Sequence, residues 1–279
     1  MRNPIFLFGL LLAGMTSPGI LFSAEKESEP THKGHTLTYW LYENWYGGDE
    51  AVDALQAIGT NALPFLIKGI AHPEAPLPGP PDTNWSTAHP TFPLELLTVR
   101  AFKALGDQAS PLIPELTRLG RDPSPIVADS ALNALALMGT NGFPPLFAAI
   151  HNRNHPYRAR ATFLLGSAHF LGSNAQPAVV ELVSVLKDTD PDACMAAAHA
   201  LGELKVGAEI AVPALALSLT STNVGVRVFS AGSLMWFDER AQGALPALTN
   251  LLTDPEFDVR REATNTISSI TSALHRSEK

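Results

Sequence analysis

Residues 101–116 read Ala101-Phe102-Lys103-Ala104-Leu105-Gly106-Asp107-Gln108-Ala109-Ser110-Pro111-Leu112-Ile113-Pro114-Glu115-Leu116. The frame of this stretch returns along the chain. Gly106 is followed at 33-residue steps by Gly139, Gly172, Lys205 and Asp238, and preceded 47 residues earlier by Gly59. One place before each anchor stands a large apolar residue: Ile58, Leu105, Met138, Leu171, Leu204 and Phe237. Three places after it stands a small one: Ala62, Ala109, Gly142, Ala175, Ala208 and Ala241. Seven places after it come Leu66, Ile113, Leu146, Val179, Val212 and Leu245. Columns kept this clean mark an internal repeat, which takes precedence over any local reading.

Each unit reads as two helices. Apolar residues before the anchor recur at helical spacing, as in Ala131, Leu135 and Met138 or Ala197, Leu201 and Leu204. Glycine or aspartate at the anchor suits the left-handed or turn conformation that ends a helix. Pro64, Pro111, Pro144 and Pro177 then open the second helix, where the first N–H groups have no intrahelical partner to lose. Val179, Leu182, Val183 and Leu186, or Leu245, Leu248, Leu251 and Leu252, are expected to face inward from it. Asp122-Pro123, Asp190-Pro191 and Asp254-Pro255 separate successive units, each aspartate placed to accept from free N–H groups of the following helix.

These residues resemble the HEAT-like repeats of the short class first noted in phycobilisome lyases. The likeness is carried by Ala101 to Ala109 with Ile113-Pro114-Glu115-Leu116, and by Ala208 with Val212-Pro213-Ala214-Leu215 and Ala241 with Leu245-Pro246-Ala247-Leu248. Val226-Arg227 and Val259-Arg260 match the family's Val-Arg pair entering a first helix, which is missing around Asp122 and Asp190. An unbroken Asp/Arg ladder is therefore not expected. The resemblance implies an all-α fold, a right-handed α-solenoid of about six helix pairs with capping helices at both ends. It also implies that the second helices line the concave side. Gly34-His35-Thr36-Leu37-Thr38-Tyr39-Trp40-Leu41 is similar to the segment that leads into the first repeat of exported bacterial HEAT-repeat proteins.

The rest of the chain is placed around the stack. Residues 1–24 have Arg2 and then a short apolar run, the layout of a signal peptide, with an uncleaved anchor over residues 5–24 as the alternative. Residues 25–35 form a polar linker, 36–274 the solenoid and 275–279 a tail. Tyr39, Trp40, Leu41, Trp45 and Tyr46 read as an N-terminal cap, or alternatively as a ligand-stacking patch. The C-terminal cap is one helix from Pro255 to Leu274 with Thr264, Asn265, Thr266, Ser268 and Ser269 outward. The extra residues of the first step fall in a proline-rich insertion, 72–93, whose prolines forbid a helix and which holds Trp85.

Chemistry is sparse. A single cysteine, Cys194, allows no internal disulfide and no cysteine-based zinc site within one chain, and its Ala-rich surroundings make it a buried filler. His151 and His155 are four apart but lack the intervening glutamate of a zinc hydrolase, and are expected at a helix C-terminus where positive charge is favoured. Asp188 and Asp190 read as solvated caps. There is no nucleophile elbow, phosphate loop or dinucleotide fingerprint. The net charge of −8 and pI of about 5.6 argue against nucleic acid. The expectation is a non-catalytic scaffold without metal or cofactor, monomeric, exported to the periplasm or secreted, with a protein or peptide partner. Nine and twelve places after the anchors, Lys68, Glu115, Arg118, His151, Glu181, Ser184 and Asn250 face away from the core, and with Trp85 they are the candidate partner-binding residues. The rival reading is a lyase-like or small-ligand-binding protein using the proline-rich loop and the N-terminal aromatics.

Overall fold

The computed structural model describes residues 28–73 and 94–277. The expected signal segment, residues 1–24, and Trp85, with nearly all of the proline-rich insertion, lie outside the described residues. Residues 28–73 begin with a small antiparallel hairpin, β1 (Thr31–His32) and β2 (His35–Thr36), where a polar linker was expected. Lys33 and Gly34 turn it at positive φ. The hairpin leads into α1 (Leu37–Tyr46), which Thr36 caps by accepting from the Tyr39 N–H and which Gly47 ends in the left-handed conformation.

The helices that follow alternate in two layers. First helices are α2 (Asp49–Ile58), α4 (Leu94–Leu105), α6 (Pro125–Leu137), α8 (Arg158–Leu164), α10 (Pro191–Leu204) and α12 (Val224–Leu234). Their partners are α3 (Leu63–Ala71), α5 (Ile113–Leu119), α7 (Phe143–His151), α9 (Gln176–Val185), α11 (Ala208–Ser218) and α13 (Leu245–Asn250). α14 (Phe257–Ser277) closes the stack. α4 packs on α6, α6 on α8, α8 on α10, α10 on α12 and α12 on α14, while α7, α9, α11 and α13 touch in the same order. Each element meets only near neighbours, which is the contact pattern of a solenoid. Among the described residues no helix is long and apolar enough to cross a membrane.

The anchor column takes positive φ in every unit, but only Lys205 among Gly59, Gly172, Lys205 and Asp238 is left-handed; the other three turn at ψ of about −130°. Gly59, Gly106, Gly139, Gly172, Lys205 and Asp238 all have φ between 50° and 70°. In five units a 3-10 segment joins the turn to the second helix. Pro64, Pro144 and Pro177 stand at the starts of α3, α7 and α9. Pro111 instead falls in the 3-10 segment, and Pro114 takes the helix-opening place in α5. Leu66, Leu116, Leu146, Val179, Leu215 and Leu248 bury the inner face of the second helices completely. Leu252 does not follow them; it lies beyond α13 and is 40% exposed.

Both caps depart from their expected form in detail. Trp40 is buried and donates from Nε1 to the His32 carbonyl at 3.1 Å, and His35 stacks on Tyr39. The N-terminal aromatics thus close the first repeat, with Tyr46 left outward. At the other end α14 begins at Phe257 and runs through the expected tail to Ser277. Thr264, Asn265 and Ser268 are outward, but Thr266 is fully buried, its hydroxyl donating to the Ala231 carbonyl at 3.0 Å.

Candidate functional site

The loops between units are built on a second column of the same period. Asp122, His155, Asp188, Ser221 and Asp254 each accept the N–H two residues ahead, at 2.9, 3.2, 2.9, 3.2 and 3.0 Å. These local turns aim the chain into the next first helix. Asp188 is no solvated cap: Arg158 donates to it from Nη2 at 2.5 Å, with only 8% of the arginine side chain exposed. Arg158 also donates to the Ile150 carbonyl and to Asp190. The Arg158 guanidinium and the Asp190 N–H hold the Asp188 carboxyl at about 2, below its ordinary 3.8. Beside it Cys194 is buried and donates to backbone carbonyls including that of Asp188, and burial pushes its thiol up. His155 is not a favoured cation at a helix end. It is 6% exposed, and burial, then the nearby Arg121, push its imidazole down.

This scaffold positions the outward face of the second helices. Arg118 donates to both Glu115 oxygens, at 3.0 and 2.7 Å, which lowers that carboxyl. His151 at the end of α7 meets Glu181 of α9 at 2.6 Å, and the Ser184 hydroxyl donates to the Glu181 carbonyl at 2.7 Å. The structure therefore brings His151, Glu181 and Ser184 together, pairs Glu115 with Arg118 inside α5, and leaves Lys68 and Asn250 exposed on α3 and α13. The seven do not form one cluster.

One member of the same column was missed. Leu217 stands twelve places after Lys205, in register with Arg118, His151, Ser184 and Asn250, and is 66% exposed. It lines a cleft of about 270 Å³ at the ends of α9 and α11, together with Val183, Leu186, Lys187, Asp188, Cys194 and Ala214. The signal was present in the sequence, since a leucine at an outward register position is itself informative. Among the described residues, no group of three or more histidine, cysteine, aspartate or glutamate side chains could hold a metal ion.

The armadillo/beta-catenin-like repeat family matches residues 240–272, which span α13 and most of α14. A comparison with the curated proteins finds no match. Among solved structures the chain is similar to Kap121p, with 15% identity and a TM-score of 0.52 over 85% of this chain and 29% of that one. It is also similar to the CpcE–CpcF complex of phycocyanin lyase from Nostoc sp. PCC7120, with 21% identity and a TM-score of 0.48 over 56% of this chain and 98% of that one. Computationally designed armadillo repeat proteins for modular peptide recognition match at 16% identity and a TM-score of 0.42, over 74% of this chain and 99% of theirs. Identities this low speak for fold alone. The two helix layers, the matched repeat and the likeness to Kap121p agree: the chain is a repeat protein of the armadillo/HEAT-like fold.

Proposed function

We propose that the chain is a non-catalytic scaffold that holds an extended segment of a partner protein along its second-helix face. The observation that carries this reading is Leu217, two-thirds exposed at the edge of the α9–α11 cleft, in register with His151 and Ser184. An isolated exposed leucine is ordinary, but one beside a half-apolar cleft offers a partner's side chain an apolar contact flanked by hydrogen-bonding groups. The outward columns mix both charge signs, which favours a polypeptide over a polyanion. Export of the protein to the cell envelope is part of the proposal, supported by the layout of residues 1–24.

A photo-crosslinker placed at position 217 in the full chain tests the reading. The expected product is a crosslink to a defined partner segment, lost when Glu181 and Arg118 are charge-reversed together. Crosslinking that spreads evenly over surface positions, or that ignores the charge reversal, sinks it. N-terminal determination on protein from fractionated cells tests the compartment, and recovery of the intact chain from the cytosol overturns export.

A further inference from the structure

Among the unit-to-unit turns built on the second column, four use an aspartate or serine oxygen as acceptor, and the one between α7 and α8 uses an imidazole. Asp122, Asp188, Ser221 and Asp254 keep acceptor oxygens at mildly acidic pH. His155 does not, because both ring nitrogens of an imidazolium are donors. Its Nδ1 must be unprotonated to accept the Tyr157 N–H at 3.2 Å. We propose that His155 makes the α7–α8 junction a proton-sensitive hinge of the solenoid.

Among the described residues, the groups around His155 give the proton no compensation. His155 is 6% exposed, and Arg121, from the turn after α5, pushes its imidazole in the same direction as burial. Asp122 spends its Oδ1 on the Ser124 N–H. Arg158 donates its N–H to the His155 carbonyl but sends its guanidinium to Ile150, Asp188 and Asp190. Asp188 is held by Arg158, with Arg153 at 4.0 Å.

The bond at risk also sits where two junctions are tied. Tyr157, whose N–H leans on His155, donates its hydroxyl to the carbonyls of Asp122 at 3.0 Å and Pro123 at 3.3 Å. Protonation thus loosens the start of α8 and its strap to the preceding turn. In a stack where units touch only neighbours, one weakened junction lets α1–α7 move against α8–α14 while both stay folded.

Amide hydrogen exchange on the full chain at pH 7.5 and 5.5, corrected for intrinsic chemical rates, reads this directly. Protection of residues 157–162 is expected to fall by about tenfold at pH 5.5, because an imidazole released into the opened junction regains its ordinary pKa and takes up the proton that the closed, buried one refuses. The amides at Ser124, Asp190 and Asn223 keep theirs. His155→Asn supplies an acceptor oxygen that does not titrate and abolishes the loss. Unchanged protection in the natural chain, or an equal loss in H155N, overturns the hinge. Should H155N not fold, NMR titration of the natural chain decides: a Tyr157 amide signal that shifts with the His155 titration supports the proposal, and a Tyr157 amide indifferent to it, or a His155 midpoint at or above its ordinary 6.5, overturns it.

Discussion

Arg227 grips Asp254 with two parallel bonds, Nε to Oδ2 at 2.9 Å and Nη2 to Oδ1 at 3.0 Å, and the two side chains are 11% and 8% exposed. Arg227 belongs to the first helix of its unit and Asp254 to the turn that leaves the second, so the pair closes the unit on itself. Its Nη1 adds the Ser221 carbonyl of the preceding turn at 2.9 Å. Removing one partner strands a buried charge. Asp254→Ala is expected to cost about 3–5 kcal/mol in urea unfolding, since the turn acceptor is lost as well. A loss below about 1 kcal/mol would show that the pair is no more than a surface contact.

Asp188, two 33-residue steps earlier, repeats the arrangement with Arg158 and gives it a pH signature. Its carboxyl titrates at about 2 in the fold, against 3.8 when free. A depressed carboxylate contributes stability that is fully present above the free value and disappears as pH falls toward the folded one. Melting temperature is therefore expected to drop between about pH 5 and 2, and less steeply in Asp188→Asn. Parallel slopes for the two proteins would place the acid sensitivity elsewhere.

Asp238 occupies an anchor that glycine holds in four other units, at φ 51° and ψ −134°. That conformation lies outside the left-handed well that L residues tolerate. Asp238 is exposed, so its side chain gives no burial in return. Asp238→Gly is expected to stabilise by about 1 kcal/mol, the relief of backbone strain less the entropy that glycine adds to the unfolded chain. Lys205→Gly should gain less, because Lys205 sits at ψ 17°, nearer the well, and its ammonium lies 4.4 Å from the Trp236 ring centroid. Equal melting temperatures for D238G and the natural chain would contradict the strain.

The anchors were legible because a single backbone demand, positive φ, selects mostly one residue type at constant spacing. The turn column was only half legible for the opposite reason. Its demand is an acceptor two residues before a free N–H, which aspartate, serine and histidine all meet. His155 and Ser221 therefore hid among Asp122, Asp188 and Asp254. The Arg158–Asp188 pair leaves no repeat signal, because Arg158 stands one turn earlier than the register of Arg227 and still reaches the same aspartate position. Leu217 is not marked by residue type, because exposure in its column depends on register alone and the other members include Arg118, His151, Ser184 and Asn250. No pattern in one chain could show that His151 and Glu181 meet, since that contact depends on how α7 and α9 are splayed.

Gly142 and Gly106 separate two reasons for a glycine. Gly106 has φ 50° with open space where a Cβ would stand, so alanine there pays for conformation alone, about 1–2 kcal/mol. Gly142 has an ordinary helical backbone, φ −82° and ψ −10°, yet a Cβ would lie 1.8 Å from the Leu135 carbonyl oxygen and 2.7 Å from its carbon. Ala62, Ala109, Ala175 and Ala241 fill the same column with no exposure, so the methyl itself is compatible with the repeat. In the third unit the end of α6 has instead moved in against the turn, and the obstacle is backbone, which cannot rotate aside. Gly142→Ala is expected to cost about 3 kcal/mol, the upper end of overpacking, and to exceed Gly106→Ala in paired denaturation curves. The reverse order would mean that α6 yields easily, and that its close approach to the turn follows from the absent methyl instead of requiring that absence.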